Sequence, residues 1–284
     1  MFSLDPRGGH NRYQFNKDFF KKWTPEMAYV LGFMYADGNI TNSIPSRTQY
    51  TNFYSSDKEI LEKIKYVLSS EHPIEVILPK TRVYQNGIYT SKKGFRLRIG
   101  SREMYQDLLN LGLTPKKSLT ITFPDNIPHK YFNDFVRGYF DGDGCITIKR
   151  GTGKYGQKIL KGVAVIFTSG SEAFLIGLRD KAISLKGLGK RSVYYSKSSR
   201  AYYLKYDTFE SLTWFKNFYK TPTQLFLERK FNVFKKYFEM RPIRVDKKIA
   251  EILKENMAEY PSSLRRGSAK PLYMGANPIS ASKM

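Results

Sequence analysis

Cysteine is almost absent from the sequence, and so are the features of a membrane or secreted protein. Cys145 is the single cysteine in 284 residues, which excludes an internal disulfide and a cysteine-based zinc site. No apolar run reaches the roughly 18 residues that a membrane span requires. Residues 1–12 also lack the apolar core of a secretory signal. We therefore expect a soluble protein that does not enter the secretory pathway.

Glycine and proline are not in excess, and apolar residues are not scarce. With 21 Gly, 13 Pro and 41% hydrophobic residues, the composition excludes a collagenous, low-complexity or disordered chain. The length predicts about two domains. Aromatic residues make up 15% of the chain, and we expect most of them in the core.

Acidic residues are strongly outnumbered by basic ones. The 48 Lys and Arg residues against 25 Asp and Glu leave a net charge of +23. This excess is not confined to one tail, so the surface would repel itself unless a polyanion offsets it, and nucleic acid is the usual polyanion. A membrane surface is the weaker alternative, because no basic amphipathic helix with a clean apolar face is visible.

Two segments of the chain match each other. Residues 24–38 and 135–144 each form an apolar stretch with an internal glycine and end in Asp-Gly. The two aspartates, Asp37 and Asp143, lie 106 residues apart, and the second half is longer by seven residues that fall around 151–157. The chain is therefore interpreted as a duplicated unit of about a hundred residues. We expect an N-terminal extension at 1–22, repeats at 23–125 and 126–240, and a partly flexible C-terminal extension at 241–284.

Hydrophobic periodicity predicts the same order in each half: helix, two strands, helix, two strands and helix. Strands are predicted near 39–44, 48–55, 80–85 and 94–100, and near 145–150, 158–168, 189–196 and 200–206. Helices are predicted near 57–69, 102–111, 171–185, 208–219, 223–239 and 246–259. Asn86-Gly87 predicts a hairpin turn between the last two strands of the first half. The pattern indicates an α+β fold with two antiparallel four-stranded sheets, each backed by helices.

The matching segments have the features of two helices that pack closely. Thr24 and the proline after it are a typical helix start, with a capping hydroxyl and a proline at the first helical position. Small residues recur every four positions: Ala28, Gly32 and Ala36 in the first segment, Gly138 and Gly142 in the second. Because such spacing lets helix backbones approach closely, we expect the two helices to pack about a pseudo-two-fold axis.

This packing would bring Asp37 and Asp143 side by side at the C-terminal ends of the helices. Two adjacent carboxylates repel, and a divalent cation is their natural counterion. A single apolar helix that ends in Asp-Gly is usually an ordinary buried helix with a C-terminal turn. The same acid at the same point of both repeats, in a chain of net charge +23, favours a functional site.

The two segments resemble the paired motif of the LAGLIDADG homing endonucleases, in the single-chain form that carries two copies. The first copy, 30–38, has Tyr35 in place of the first aspartate of the family's motif. The second copy, 136–144, is closer and has Arg137 where the family has alanine. The resemblance extends over residues 20–240. It implies a duplicated αββαββα fold whose two sheets form a DNA-binding saddle.

The resemblance further implies a site-specific endonuclease that hydrolyses both strands of duplex DNA at a long recognition site. In this family the last aspartate of each motif, here Asp37 and Asp143, binds divalent metal with help from the carbonyl oxygens of Ala36 and Gly142. About two or three Mg²⁺ ions would be held, and Mn²⁺ or Ca²⁺ can substitute in binding. Each half would cut one strand across the minor groove and leave short 3′ overhangs. The protein would be an intracellular monomer, in a bacterial cytoplasm or nucleoid or in an organelle matrix.

The family also uses basic residues near the metal, and one lysine in each half fits this role. Lys117 lies 80 residues after the first aspartate and Lys230 lies 87 after the second, so the two spacings differ by the same seven residues. Lys116 and Arg229 are the adjacent alternatives. Among 48 basic residues, a phosphate contact or a solvated charge is an equally good interpretation of either lysine.

Alternation along the strands nominates side chains for DNA contacts on the open face of each sheet. The first half contributes Gln49, Arg82, Tyr84, Arg96 and Arg98, and the second contributes Lys149, Lys158, Lys190, Tyr194, Arg200 and Lys205. Arginine and glutamine can make bidentate base contacts, whereas lysine more often holds phosphate. Residues 7–22 and 241–284 are further candidates for backbone contacts, with disorder as the alternative.

Two other functions remain open at this point. An RNA-binding maturase on the same fold would assist splicing of its host intron, and the intron RNA would then be the partner. A non-cleaving DNA-binding regulator is disfavoured, because both aspartates are present and residues 241–284 do not form a convincing helix-turn-helix pattern.

Overall fold

The structure, a computed structural model, describes residues 13–43, 48–84, 87–185 and 187–256. The predictions for residues 1–12 and for the tail beyond 256 lie outside these ranges, as does Asn86. Within the described ranges, no helix is both long enough and apolar enough to cross a membrane.

Helices and strands follow the predicted order in the second half, whereas the first half has four strands rather than two between its second and third helices. The helices are α1 (Pro25–Asp37), α2 (Lys58–Val67), α3 (Arg102–Asn110), α4 (Phe132–Asp143), α5 (Glu172–Ala182), α6 (Thr208–Tyr219), α7 (Glu228–Met240) and α8 (Lys247–Glu255). The strands of the first half are β1 (Gly38–Ser43), β2 (Thr48–Ser55), β3 (Ile74–Ile77), β4 (Thr81–Tyr84), β5 (Gly87–Thr90) and β6 (Gly94–Gly100). Those of the second half are β7 (Gly144–Thr152), β8 (Lys158–Ser169), β9 (Val193–Ser196) and β10 (Ala201–Tyr206).

The first and fourth helices, α1 and α4, are buried and pack against each other at the centre of the molecule. Thr24 caps α1, its hydroxyl accepting from the Met27 amide at 3.1 Å. A Cβ on Gly32 would lie 2.8 Å from the carbonyl carbon of Phe135, and a Cβ on Gly138 would lie 2.8 Å from that of Tyr29. The two contacts are related by the 106-residue offset between the repeats, so the helices cross about a pseudo-two-fold axis.

Two further small residues, Ala36 and Gly142, extend this contact toward the C-terminal ends of the helices. A Cβ on Gly142 would clash with the Cβ of Ala36. Ala28, earlier in α1, is fully buried. The spacing of Gly32, Ala36, Gly138 and Gly142 in the sequence therefore corresponds to a line of close backbone approach.

Each half contains a four-stranded antiparallel sheet with the same connectivity. The strand orders are β1-β2-β6-β3 and β7-β8-β10-β9. In the first sheet Phe53 pairs with Leu97, and in the second Phe167 pairs with Leu204. All four side chains are fully buried, so one face of each sheet packs on the core. The predicted α+β fold of two antiparallel sheets backed by helices is confirmed.

The strand predicted near 80–85 is present, but its predicted place in the first four-stranded sheet is wrong. Residues 81–84 do not join the four-stranded sheet; β4 pairs with β5 in a separate hairpin. The outer strand of the sheet is instead β3, where Ile74 pairs with Leu97 and packs against the core. On the hairpin, Val83 and Ile88 are 79% and 74% exposed. The outer position is therefore occupied by the strand that brings an apolar side chain to the core.

Two elements of the second half begin later than predicted, in each case because hydrogen bonds hold the backbone elsewhere. Strand β9 starts at Val193 rather than near 189, since the Gly189 amide donates to Glu210 at 3.1 Å. Helix α7 starts at Glu228 rather than near 223, since the preceding segment hydrogen bonds to α4. The glycine-rich stretch around 151–157 forms the end of the β7–β8 hairpin, as expected.

Candidate active site

The two motif aspartates are the last residues of α1 and α4. Asp37 and Asp143 each precede a glycine that begins a strand, β1 or β7. Burial, followed by the charge of Asp37, raises the pKa of Asp143 to about 6. Burial also raises the pKa of Asp37, against the opposing charges of nearby basic groups. The helix crossing therefore places two carboxylates close enough for one to oppose ionisation of the other.

Lys230, in the first turn of α7, reaches the end of α4. Its side chain is 2% exposed, and its Nζ donates to the carbonyl oxygens of Phe140, Asp141 at 2.9 Å and Gly144 at 2.6 Å. Burial lowers the pKa of Lys230 to about 8, although the charges of Asp141 and Asp37 oppose the shift. The ammonium thus supplies donors and positive charge to carbonyl groups at the C-terminal end of α4 and at the start of β7.

Lys117 occupies the corresponding place in the first half. It begins a 3₁₀ turn, Lys117–Leu119, is 6% exposed, and donates to the carbonyl oxygen of Ala36 at 2.8 Å. Burial lowers the pKa of Lys117, and the charges of Asp143 and Asp37 oppose this. Each lysine therefore lies at the end of its own half's motif helix and within the electrostatic influence of the aspartates.

The neighbouring basic residues do not occupy these positions. Lys116 is exposed and has a left-handed backbone, with φ at 57°. Arg229 is exposed, its Nε donates to Asp57 at 2.9 Å, and its charge also acts on Asp37. Of the alternatives left open by the sequence, Lys117 and Lys230 are the two that the structure buries at the ends of the motif helices.

The carboxylates of Asp37 and Asp143 and the backbone carbonyl groups near them form a set of oxygen donors that fits a divalent cation. A pair of partly buried carboxylates, one of which opposes the ionisation of the other, is suited to a hard cation with oxygen ligands. Among the described residues, no group of three or more His, Cys, Asp or Glu side chains lies together. The protein could thus supply two carboxylates plus backbone carbonyls, which matches Mg²⁺, an ion that keeps waters and binds substrate phosphates. One candidate carbonyl, that of Ala36, already accepts from Lys117.

Two of the nominated DNA contacts of the first half lie on the face of the sheet that points away from the core. Arg96 and Arg98 alternate with buried residues of β6. The guanidinium of Arg98 lies 3.6 Å from the ring centroid of Tyr50. Arg96 is instead engaged by Glu75, to which its Nε donates at 3.0 Å. Arg98 is therefore the better placed of the two to contact a ligand.

The remaining first-half nominees do not share this face. Gln49 follows the alternation of Thr51, which is buried, and so lies on the core side of β2. Arg82 is exposed on the separate hairpin, opposite Tyr89. Tyr84 occupies the hairpin position opposite Gly87. The expectation that all five nominees share one sheet face is therefore wrong, because the outer strand and the register of β2 differ from those assumed.

In the second half, three nominees lie on the outward face. Lys205 is exposed between two buried residues of β10. Tyr194 stacks on Tyr203 of the neighbouring strand, with ring centroids 5.5 Å apart. Lys149 shares this face, but its Nζ donates to Asp207 at 2.5 Å. This ion pair offsets part of the positive charge that the sequence assigns to the sheet.

The other three second-half nominees lie at the edges of the sheet. Lys158 pairs with Thr152 at the hairpin end, on the opposite alternation from Lys149. Lys190 is exposed in the loop before β9, not on a strand as predicted. Arg200 is exposed in the β9–β10 turn, where its φ is 52°. These three side chains could contact a ligand at the edges of the sheet but not on its outward face.

Sequence reasoning missed several polar residues on the outward face of the first sheet. Asn39, Asn52 and Arg98 form one row across three adjacent strands. Tyr50, next to this row, stacks under Arg98. The signal that could have found them is alternation counted from the buried Phe53 of β2. Also missed was a buried polar network on α4 around Arg137 and Asp141.

The comparisons with known proteins concern overall structure. No family model and no curated protein matches the sequence. The homing endonuclease I-WcaI bound to its DNA recognition sequence is similar with a TM-score of 0.48 and 15% identity, over 75% of this chain and 89% of that chain. The LAGLIDADG meganuclease I-AabMI bound to uncleaved DNA has a TM-score of 0.47 and 13% identity, over 84% and 99%. The meganuclease I-SmaMI bound to uncleaveable DNA has a TM-score of 0.47 and 14% identity, over 82% and 97%.

These similarities cover 75–84% of this chain, with 13–15% of the residues identical.

Proposed function

We propose that this protein is a site-specific endonuclease of the LAGLIDADG type, which hydrolyses both strands of duplex DNA with divalent metal. The observation that carries the proposal is the duplicated cluster at the ends of α1 and α4. There, two partly buried aspartates of adjacent helices lie within the electrostatic reach of two buried lysines, one from each repeat. The net charge of +23 supports a polyanionic substrate.

In this proposal Asp37 and Asp143 hold Mg²⁺, with the carbonyl oxygens of Ala36 and Gly142 as further ligands. The metal, when bound, supplies a Lewis acid that neutralises phosphate charge and lowers the pKa of a bound water. Lys117 would present its ammonium at the end of α1, where it donates to Ala36 and where its charge acts on Asp143 and, less strongly, on Asp37. This ammonium offsets the negative charge that a phosphate brings to a partly buried site.

Lys230 has the corresponding role in the second half. Its pKa of about 8 keeps it mainly protonated near neutral pH. The repeats at 23–125 and 126–240 would each act on one strand. The outward sheet faces, with Arg98 and Lys205, would lie along the DNA and supply base and phosphate contacts.

The test is cleavage of a randomised duplex library carried on circular plasmids. The protein is incubated with the library in Mg²⁺, and the linearised products are captured and sequenced. We expect a single preferred site and short 3′ overhangs with 5′-phosphate ends. The matched control is Asp180→Asn, since Asp180 lies on the surface of α5 and forms its ion pair with the adjacent Arg179.

Two results would contradict the proposal. One is failure of the unaltered protein to cut any member of the library in Mg²⁺ or Mn²⁺. The other is linear product from Asp143→Asn in the same amount as from Asp180→Asn.

A further inference from the structure

A buried carboxylate that is not one of the two site aspartates lies two residues before Asp143. Asp141 is 2% exposed. Its Oδ2 accepts from the Tyr29 hydroxyl at 2.8 Å and from the Leu227 amide at 2.9 Å. Leu227 is the residue immediately before α7, and Lys230 is in the first turn of that helix. Asp141 therefore attaches the start of the lysine-bearing helix to α4.

Arg137, one turn earlier on α4, holds the other end of the same connection. It is 3% exposed, and its Nη2 lies 2.9 Å from Asp134. Its Nη1 donates to the carbonyl oxygen of Phe218 at 2.6 Å, and its Nε to that of Leu225 at 3.1 Å. Together, Arg137 and Asp141 hold the chain in place from the end of α6 to the start of α7.

The first half achieves the same result with a different side chain. Tyr35 lies two residues before Asp37, at the position equivalent to Asp141. Its hydroxyl donates to the carbonyl oxygen of Leu111 at 2.8 Å. Leu111 is the residue immediately after α3 and begins the connection that leads to Lys117. In both repeats, then, the same motif position is tied to the segment that precedes the repeat's lysine.

Stability alone does not explain the acid at position 141. A buried carboxylate costs more than it contributes unless its oxygens are satisfied, and Oδ1 of Asp141 has no hydrogen-bond partner among the described residues. Tyr35 at the equivalent position shows that the helix pair itself does not require an acid. The feature common to the two side chains is the backbone group that each one binds.

We propose that Asp141 and Tyr35 are positioning residues, which set Lys230 and Lys117 against the two site aspartates through the backbone of Leu227 and Leu111. The inference rests on the proposed endonuclease function, in which each lysine serves one of the two strand cuts. Each of these two hydrogen bonds, Asp141 to Leu227 and Tyr35 to Leu111, is here called a tether. Loss of one tether should therefore slow the cleavage of one DNA strand and leave the cleavage of the other unchanged. A defect in stability alone would slow the cleavage of both strands together.

The test uses the full-length protein and a duplex with its preferred site, labelled differently on the two strands. Asp141→Ala is expected to slow one strand by about 10- to 100-fold, the range for a small displacement of a site group. Tyr35→Phe removes only a hydroxyl and should slow the opposite strand, with nicked duplex as the product of each variant. Asp141→Asn keeps an acceptor for the Leu227 amide, so the two DNA strands should again be cleaved at equal rates. The control Tyr29→Phe removes the other hydrogen bond to Asp141 and should leave the two cleavage rates equal.

A second measurement needs no DNA. Hydrogen exchange should become faster at 221–231 in Asp141→Ala and at 111–118 in Tyr35→Phe, relative to the unaltered protein. Equal slowing of both strands, or unchanged exchange in these segments, would overturn the inference. A strand-specific loss in Asp141→Asn would also overturn it, because the charge and not the tether would then matter. Failure of the unaltered protein to cut DNA would instead count against the endonuclease proposal, while exchange still reports on the tethers.

Discussion

Gly138 of α4 lies against the backbone of Tyr29 in α1, where a Cβ would come within 2.8 Å of the Tyr29 carbonyl carbon. Gly32 makes the reciprocal contact with Phe135. Backbone atoms in a helix cannot move aside as a flexible side chain can, so the helices approach this closely only because both positions lack a Cβ. This approach in turn sets the distance between the two aspartates that end the helices.

Substitution at this contact should therefore destabilise the whole protein. Gly138→Ala is expected to lower the free energy of unfolding by about 3 kcal/mol, at the upper end of the range for overpacking, as measured by urea denaturation. Gly94→Ala is the matched control, since its added Cβ would meet only the Ser55 carbonyl oxygen, at 3.6 Å. Equal midpoints for the two variants would show that the helices are not packed backbone to backbone.

Removal of one site carboxylate should separate cleavage from binding. Asp37→Asn and Asp143→Asn are each expected to abolish double-strand cleavage, because in the proposed function each carboxylate holds metal. Affinity for duplex DNA should remain within about threefold, since it depends mainly on phosphate contacts elsewhere. Cleavage gels and fluorescence anisotropy measure the two quantities. A parallel loss of binding would mean that these aspartates maintain the DNA-binding surface instead.

The raised pKa of Asp143 predicts how metal binding depends on pH. Because its folded pKa of about 6 lies above the ordinary 3.8, the group favours folding fully below 3.8, and this contribution is lost as pH rises through about 6. A bound cation replaces the proton. Mg²⁺ should therefore raise the Tm more at about pH 7.5 than at about pH 5, relative to EDTA.

Differential scanning calorimetry can make this comparison. In Asp143→Asn the side chain cannot ionise, so the Mg²⁺-dependent increase in Tm should be small at both pH values. An increase of the same size at both pH values in the unaltered protein would argue against metal binding by this carboxylate.

The net charge of +23 predicts a strong dependence of DNA affinity on salt. Each phosphate contacted on duplex DNA contributes about −0.9 to the slope of log K against log salt, and on the order of ten contacts are expected. Lys205→Ala should reduce the slope by about one contact. Lys149→Ala should change it less, because Lys149 is already paired with Asp207.

The same titration distinguishes the endonuclease from an RNA maturase. Duplex DNA should bind more tightly than structured RNA at matched salt. A shallow slope of about one or two contacts would contradict a long DNA-binding surface, and tighter binding of the RNA would favour the maturase.

The repeat, the central helices and the two aspartates could be predicted from the sequence because each leaves a local pattern. Gly32 and Gly138 occur at the same point of two apolar segments, and a mid-helix glycine is costly enough to require a reason. Strands with buried anchors, such as β2 and β6, lie within a few residues of their predicted bounds. The net charge of +23 indicates a nucleic-acid partner without any knowledge of the fold.

Other features were decided only by the tertiary structure. Residues 74–77 and 81–84 are both short strands, and only the pairing of Ile74 with Leu97 shows which of them completes the sheet. Lys117 and Lys116 are adjacent and of one type, yet only Lys117 reaches the carbonyl oxygen of Ala36, 81 residues away in the sequence. Asp141 and its contact with Leu227 span 86 residues and leave no local pattern. Periodicity reports which face of an element is apolar, whereas strand order, lysine placement and buried tethers depend on contacts between distant segments, which exist only after the chain has folded.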